Sequence, residues 1–184
     1  MSKIGDEDWF HSERLLLRLV TPEDCGERYL SWLCDERVNR YLETRWSEQT
    51  IESIGEFVAE MRASEENHLF AIVKRDAREH IGNIKLGPVN ANHGYADISY
   101  FIGDPRMWGK GYATEAIRTA TVIGFDVLGL HRLQAGVYKT NVGSTRALEK
   151  VGYRLEGRFR KQLRAEDGWQ DHLWYGLLRE EFKG

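Results

Sequence analysis

The apolar residues of this chain change their period near residue 68, and this change most limits the folds the chain can adopt. Before it, apolar side chains recur at the spacing of one helix face: Ile51, Ile54, Val58 and Met61. After it, the segments 68–75, 80–89 and 95–103 alternate or run apolar with turn residues between them, which predicts three consecutive antiparallel strands. Helices and strands in one short chain predict a mixed α/β sheet.

The segments before this change predict one strand and several helices. The run RLLLRLV over 14–20 is typical of a strand, and Thr21 with Pro22 predicts the start of a helix that ends near Cys34. A short helix or turn is expected over 38–42. Ser47 predicts the start of the next helix through a sequence similar to a capping box.

The segments after residue 103 alternate between helix and strand. The pattern predicts helices over 112–128 and 141–151, with a strand over 132–139 between them and Gly152 as the stop of the second helix. A closing hairpin is expected from 154–164 and 170–182, across the turn Asp167-Gly168.

The length of 184 residues favours one domain, 1–184, with residues 1–12 as an N-terminal tail. A hydrophobic fraction of 41% and a charged fraction of 30% are ordinary for a soluble protein. The net charge of −3 argues against a nucleic-acid partner. No apolar run approaches the roughly 20 residues that span a bilayer, so no membrane partner is expected. Monomer and homodimer both stay open.

Cysteine and histidine usage predicts neither a disulfide nor a metal site. Cys25 and Cys34 lie in one helix-like stretch, about 13 Å apart along such a helix, too far to bridge. A reducing cytoplasm fits this usage. The histidines lack the paired spacing of metal ligands: His11, His68, His80, His93, His131 and His172.

The stretch RMWGKGYATEA, residues 106–116, predicts an anion site at the start of a helix. It matches neither the dinucleotide fingerprint nor the P-loop. Gly109 and Gly111 nevertheless let a ligand approach the main chain, and the unpaired amides and dipole of a helix start favour negative charge. Lys110 and Thr114 add side-chain contacts.

WGKGYATEA, followed about thirty residues later by NVGSTRALEKVGY, resembles the GNAT superfamily of acetyl-CoA-dependent N-acetyltransferases, in its RimJ/RimL-like branch. The resemblance extends over nearly the whole chain, from RLLLRLVTPED to the terminal hairpin. It implies a single GNAT-like α/β domain. The expected core is a largely antiparallel sheet of about seven strands, splayed between strands 4 and 5 and flanked by helices.

The resemblance also implies acetyl-CoA as the acyl donor and no metal. The family holds the pyrophosphate on [Q/R]-x-x-G-x-[G/A], and here Trp108 stands where Gln or Arg is usual. Backbone groups of Tyr100 and Ile102 are expected to bind the pantetheine arm, and the amide of Phe101 or Ile102 to stabilise the oxyanion. The full set of expected cofactor-binding residues is Tyr100, Phe101, Ile102, Trp108, Gly109, Lys110, Gly111, Tyr112, Ala113, Thr114, Asn141 and Ser144.

The implied reaction is direct attack of an amine on the thioester, which needs a base because the amine is mostly protonated at neutral pH. Asp97 is the leading candidate, although it could instead orient a loop or bind a cationic substrate, and Glu43 is the alternative. Many relatives have a tyrosine acid where this chain has Leu148. Ser144 is therefore assigned to the thiol, and Asn141 to pantetheine, to a helix cap, or to both.

The acceptor site is expected in the first helices and the strand ends that face them. The candidate contacts combine polar and aromatic side chains: Asn39, Tyr41, Glu43, Asn83, Lys85 and His93. This composition suits a small amine such as an amino sugar or its nucleotide-linked form. A protein N-terminus, a polyamine and an aminoglycoside are alternatives. A non-catalytic acyl-CoA-binding module represents a different class of function.

Overall fold

The fold is built on one mixed sheet whose strand order brings together distant parts of the chain. The computed structural model describes residues 4–166 and 168–184. Within them the sheet has eight strands in the order β1-β2-β3-β4-β5-β6-β8-β7. The strands are Phe10–His11, Leu15–Leu19, His68–Lys74, Glu79–Asn90, Tyr95–Ile102, Arg132–Tyr138, Arg154–Ala165 and Gly168–Leu178, numbered β1 to β8 in chain order.

Among the described residues, five α-helices flank the sheet: Glu27–Cys34, Glu36–Asn39, Ile51–Ala63, Tyr112–Val122 and Val142–Val151, numbered α1 to α5. Helix α4 continues as one π-helical segment, Ile123–Val127. Gly152 ends α5 in the left-handed conformation, at φ 115°, which confirms its predicted role as a helix stop. None of the helices in the described ranges is long and apolar enough to cross a membrane.

The central feature is a splay between β5 and β6. Every other neighbouring pair of strands is antiparallel, whereas β5 and β6 are parallel. Their register ends at the pair Asp97 and Gln134. Beyond that pair, residues 98–102 and 135–138 diverge without pairing to each other, leaving a cleft open toward the carboxyl ends of both strands. The splay was expected between strands 4 and 5. It lies here, because β5 and β6 are the fourth and fifth strands when the two-residue β1 is not counted.

Each face of the sheet buries its own apolar core. On one face, Ile84, Ile98 and Leu133 pack with Ile117 of α4 and Leu148 of α5. We call this the α4/α5 face. On the opposite face, α1, α2 and α3 pack on β2 and β3, and we call this the α1–α3 face. Because strand side chains alternate, each residue of β5 and β6 belongs to one face.

Some predicted boundaries were wrong. Residues Pro22–Asp24 form a 3-10 turn, and α1 begins only at Glu27. The Asp24 carboxylate accepts a hydrogen bond from the Thr21 amide and pairs with Arg18. These contacts close a single turn, so the α-helix does not start at Pro22. Helix α3 is capped by Thr50 with Ser53, not by Ser47.

The sheet and its ends also differ slightly from expectation. It has eight strands because Phe10–His11, inside the expected tail, pairs with β2. The closing hairpin is confirmed as β7 and β8, and the chain after Leu178 turns into a 3-10 segment. Asp167 of the predicted turn lies outside the described residues.

Candidate active site

The loop before α4 has the conformation of an anion cradle. Gly109 and Gly111 have φ values of 73° and 85°, in the left-handed region that a side chain disfavours. Within the described residues, no amide from Gly109 to Thr114 donates to a backbone carbonyl or side chain. These amides and the start of α4 therefore offer several hydrogen-bond donors to one anion.

Two contacts hold this loop in place. The Arg14 guanidinium donates to the Lys110 carbonyl oxygen at 3.0 Å and pairs with Glu115 of α4 at 2.7 Å. Arg14 also lies over the ring of Tyr112, 4.6 Å from its centroid, so its guanidinium is held beside the loop while Glu115 balances its charge. On the other side, the indole Nε1 of Trp108 donates to the Ile102 carbonyl oxygen at 2.8 Å. Trp108 therefore joins the loop to the end of β5.

The unpaired part of β5 presents main-chain groups to the cleft. The Gly103 amide donates to the Ile81 carbonyl oxygen at 2.8 Å, on the β4 side. Because main-chain groups alternate in direction along an antiparallel strand, those of Tyr100 and Ile102 point away from β4, into the cleft. The Phe101 amide points to β4, so of the two amides expected to bind the oxyanion, that of Ile102 is on the cleft side.

Ser144 and Asn141 lie at the start of α5, on the α4/α5 face of the cleft. The Asn141 side-chain oxygen accepts the Ser144 amide at 3.2 Å, which makes Asn141 a helix cap. The Ser144 hydroxyl lies 2.6 Å from the Tyr100 hydroxyl. Burial raises the pKa of the Tyr100 phenol, and the Ser144 hydrogen bond acts in the opposite direction. The phenol stays protonated at neutral pH and is available as a donor to Ser144.

Asp97 lies on the α1–α3 face, at the point where the splay begins. Its Oδ1 accepts a hydrogen bond from Gln134 Nε2 at 2.8 Å. Lys85 lies nearby on β4, and burial lowers the pKa of its amine, while the charges of Asp97 and Glu60 partly offset that effect. A groove of about 800 Å³ extends from Asp97 and Gln134 toward the end of α3.

Glu43 lies at the far end of the cleft, beside Tyr138 at the end of β6. The Tyr138 hydroxyl donates to Glu43 Oε1 at 2.8 Å, and Arg45 donates to the same hydroxyl at 2.8 Å. Burial and then the Glu43 carboxylate raise the pKa of Tyr138 to about 12. Arg45 also donates to the Arg164 carbonyl oxygen of β7, so the segment 43–46 is tied across the sheet. A second pocket lies here, lined by Glu43, Trp46, Tyr138, Gln162, Leu163, Arg164 and Trp169.

His172 lies between these two carboxylates on the same face of the sheet. It is the cross-strand partner of Tyr138, and its ring covers Gly136. A Cβ at Gly136 would lie 2.3 Å from His172 Nε2, so the ring fits only because residue 136 is glycine. His172 Nδ1 lies 2.8 Å from the side-chain oxygen of Gln162.

The other residues expected to contact the acceptor are dispersed. Asn39, at the end of α2, donates to the Leu33 carbonyl oxygen of α1, and Tyr41 donates to the Thr140 carbonyl oxygen near α5. Asn83 is buried, with Oδ1 2.7 Å from His80 Nε2. His93 is exposed on the turn between β4 and β5, where its ring stacks on Tyr95. Their expected roles stay predictions.

The glycine loop and the splayed strands are features that the resemblance led us to expect. The family model described as "Acetyltransferase (GNAT) domain" matches residues 14–154. The chain belongs to the GNAT family. It is therefore an acetyl-CoA-dependent acyltransferase.

Relatives of this GNAT acetyltransferase agree with that assignment. The uncharacterized N-acetyltransferase YoaA of Bacillus subtilis is 35% identical over 171 residues, 91% of this chain and 95% of the relative. The spermidine N(1)-acetyltransferase of Escherichia coli is 35% identical over 79 residues, 43% of this chain and 42% of the relative. Mycobacterium smegmatis RimJ, solved in complex with CoA-disulfide, superposes with a TM-score of 0.83 at 23% identity, covering 96% of this chain and 90% of RimJ.

Sequence reasoning missed several groups around the GNAT cleft. From the sequence, Arg14 is predicted only as part of the strand over 14–20. A basic residue at the start of a strand is only a weak signal for a phosphate site. Gln134, Tyr138 and His172 have no motif around them. Only the pairing of β6 with β5 and β8 brings these three side chains to one face.

Proposed function

We propose that this protein transfers the acetyl group of acetyl-CoA by direct attack to the primary amine of a small molecule such as an amino sugar. The observation that supports this best is the cleft between β5 and β6, with an anion cradle at its open end and two carboxylates on its α1–α3 face. Asp97 marks the closed end and Glu43 the open end of that face.

The donor is proposed to bind through main-chain groups. Its pyrophosphate accepts hydrogen bonds from the amides of residues 109–114, with Arg14 as a charged neighbour. Its pantetheine arm lies along Tyr100 and Ile102 as an added strand would. The thioester carbonyl oxygen then accepts from a cleft-facing amide, which stabilises the negative charge of the tetrahedral intermediate.

The chemistry needs one nucleophile and two proton transfers. The amine nitrogen bonds to the carbonyl carbon, and the carbon–sulfur bond then breaks. The leaving thiolate takes a proton, for which Ser144 is the proposed donor because its hydroxyl lies at the start of α5, 2.6 Å from the Tyr100 hydroxyl, and solvent then returns the proton to the serine. Asp97 and Glu43 attract the ammonium form of the acceptor, and both are candidates for the base.

A polyamine is the second candidate acceptor. Partial similarity to a spermidine N(1)-acetyltransferase favours it, as do two carboxylates on one face of the cleft. A protein N-terminus, expected from the RimJ/RimL-like resemblance, is a further alternative for the same face. These acceptors differ in size and in charge, and a direct comparison separates them.

The test is a screen with acetyl-CoA and free thiol as the readout. The acceptors are glucosamine, spermidine, an aminoglycoside and a peptide with an N-terminal alanine. We expect glucosamine or a related amino sugar to release CoA faster than the other three. Faster turnover of spermidine or of the peptide would replace the proposed acceptor class. If none of the four acceptors releases CoA, acetylation of these amines is contradicted.

A further inference from the structure

The α1–α3 side of β6 brings an imidazole beside the two carboxylates that are candidates for the base. Gln134, Gly136 and Tyr138 face the α1–α3 side because Leu133, Ala135 and Val137 belong to the opposite core. Asp97 lies beside the first of these residues and Glu43 beside the last. A carboxylate near its usual pKa of about 4 is a weak base for an ammonium, whereas an imidazole is well matched to neutral pH.

His172 occupies the middle position of this row. Its Nε2 lies over Gly136, about 7 Å along the strand from each neighbouring same-face residue. Gly136 is exposed and lies just beyond the last paired residues of the splay, on a wall of the cleft. The ring is therefore beside the part of the cleft where the thioester and the attacking amine must meet.

The hydrogen bond between the His172 ring and Gln162 determines which ring nitrogen carries the proton. The side-chain oxygen of Gln162 faces Nδ1, so Nδ1 carries the proton and Nε2 carries the lone pair. Nε2 has no hydrogen-bond partner within residues 4–166 and 168–184. The irregular register between Phe159 and Leu163 is what brings Gln162 to this position.

The surroundings keep this imidazole neutral at neutral pH. Burial lowers the pKa of His172, and the Glu43 charge acts in the opposite direction without reversing the shift. On the same face are Tyr138, which is the cross-strand partner, and Arg45, which donates to the Tyr138 hydroxyl. The ion pairs of Asp171 with Arg158 and Lys139 lie on the other face, since residues 171 and 172 alternate.

We infer that His172 is the catalytic base that removes a proton from the acceptor ammonium. This inference rests on the proposed function. One proton of the ammonium passes to Nε2 and then to solvent, and the nitrogen lone pair forms the C–N bond. A second proton, released from that nitrogen as the C–S bond breaks, balances the one the thiolate takes up. Asp97 and Glu43, on either side of His172 in this row, then attract the cationic acceptor to this face.

The test compares His172→Gln, Gln162→Glu and the control His11→Gln, an exposed histidine on β1. The substrate is whichever of the four screened acceptors the wild type acetylates fastest: glucosamine, spermidine, the aminoglycoside or the alanyl peptide. We expect His172→Gln to lower kcat about 100-fold or more, as loss of a general base does, and to remove the acidic limb of the kcat profile. Its KM for acetyl-CoA and the behaviour of His11→Gln should match wild type.

Gln162→Glu tests the role of His172 through the pH dependence of kcat, which would not change if His172 were only structural. A carboxylate at Nδ1 raises the pKa of the imidazole, so the acidic limb should shift to higher pH while the variant stays active. Wild-type kcat and an unshifted limb in both His172→Gln and Gln162→Glu would overturn the assignment and leave acetyl transfer intact. If the wild type releases no CoA with any amine, the proposed function fails, and the assignment fails with it.

Discussion

Replacing Gly111 by glutamate should remove most of the stabilisation of this protein by acetyl-CoA. Gly111 caps α4 at φ 85°, and its amide belongs to the row of free donors from Gly109 to Thr114. A Cβ there would lie 3.4 Å from the Arg14 guanidinium, which can move, so the loop tolerates the bulk. The added carboxylate, however, belongs to the loop proposed to hold the pyrophosphate, and its negative charge repels that of the phosphates.

The size of the effect follows from linkage. Acetyl-CoA at a hundred times its Kd stabilises the wild type by about 2.7 kcal/mol, or about 5 to 11 °C in Tm for a chain of this length. A hundredfold weaker Kd leaves about 0.4 kcal/mol, or about 1 to 2 °C. The left-handed φ itself costs about 1 kcal/mol in the free protein, which lowers Tm by about 2 to 4 °C.

A matched variant separates these two effects. Gly129 has φ 68° and is exposed, and a Cβ added there would have no atom within 4 Å. Gly129→Glu should therefore lower the Tm of the free protein by a similar amount and keep the full acetyl-CoA shift. Thermal unfolding with and without acetyl-CoA measures both. A full shift in Gly111→Glu, or an equal loss in both variants, would refute the cradle.

Two further predictions concern the supports of the site. Asp24→Asn should lower the free energy of unfolding by about 2 to 3 kcal/mol in urea at pH 7, because Arg18 loses the partner of a largely buried pair. Burial raises the pKa of Asp24, but the hydrogen bonds from Arg18 and the Thr21 amide, with the charges of His80 and Arg18, together hold it below its usual value, so this stability is present above about pH 4. This stability is lost as the pH falls through the pKa that Asp24 has in the folded state. If Asp24→Asn destabilises the protein as much at pH 3 as at pH 7, the ion pair is contradicted. Trp108→Phe removes the donor to Ile102 and should weaken acetyl-CoA binding about 3- to 10-fold by calorimetry, as expected for loss of one hydrogen bond. Trp9→Phe is its control, and equal affinities in the two variants would argue against the anchor.

The sequence predicted the parts of the site that main-chain geometry defines. Gly109 and Gly111 mark a loop whose φ values few other residues adopt, and Asn141 marks a helix start. These signals are local, so a single stretch of sequence carries them. The position of His172 depends instead on its pairing with Tyr138 and on a local irregularity in β7. No local pattern encodes a cross-strand register, which is why that side chain drew attention only as one of six histidines without metal-ligand spacing.

The two sides of the cleft are therefore built in different ways, and this bears on how acceptor choice changes. The proposed donor side presents main-chain groups of one loop and one strand, which tolerate substitution as long as the backbone path is kept. The other side uses side chains from the segment 43–46, β5, β6 and the β7–β8 hairpin, linked by Arg45 and Tyr138. A substitution on that side can alter the acceptor while the donor loop, more distant in the fold, keeps its shape. RimJ has the same fold at only 23% identity, as expected if the backbone path is retained while side chains diverge.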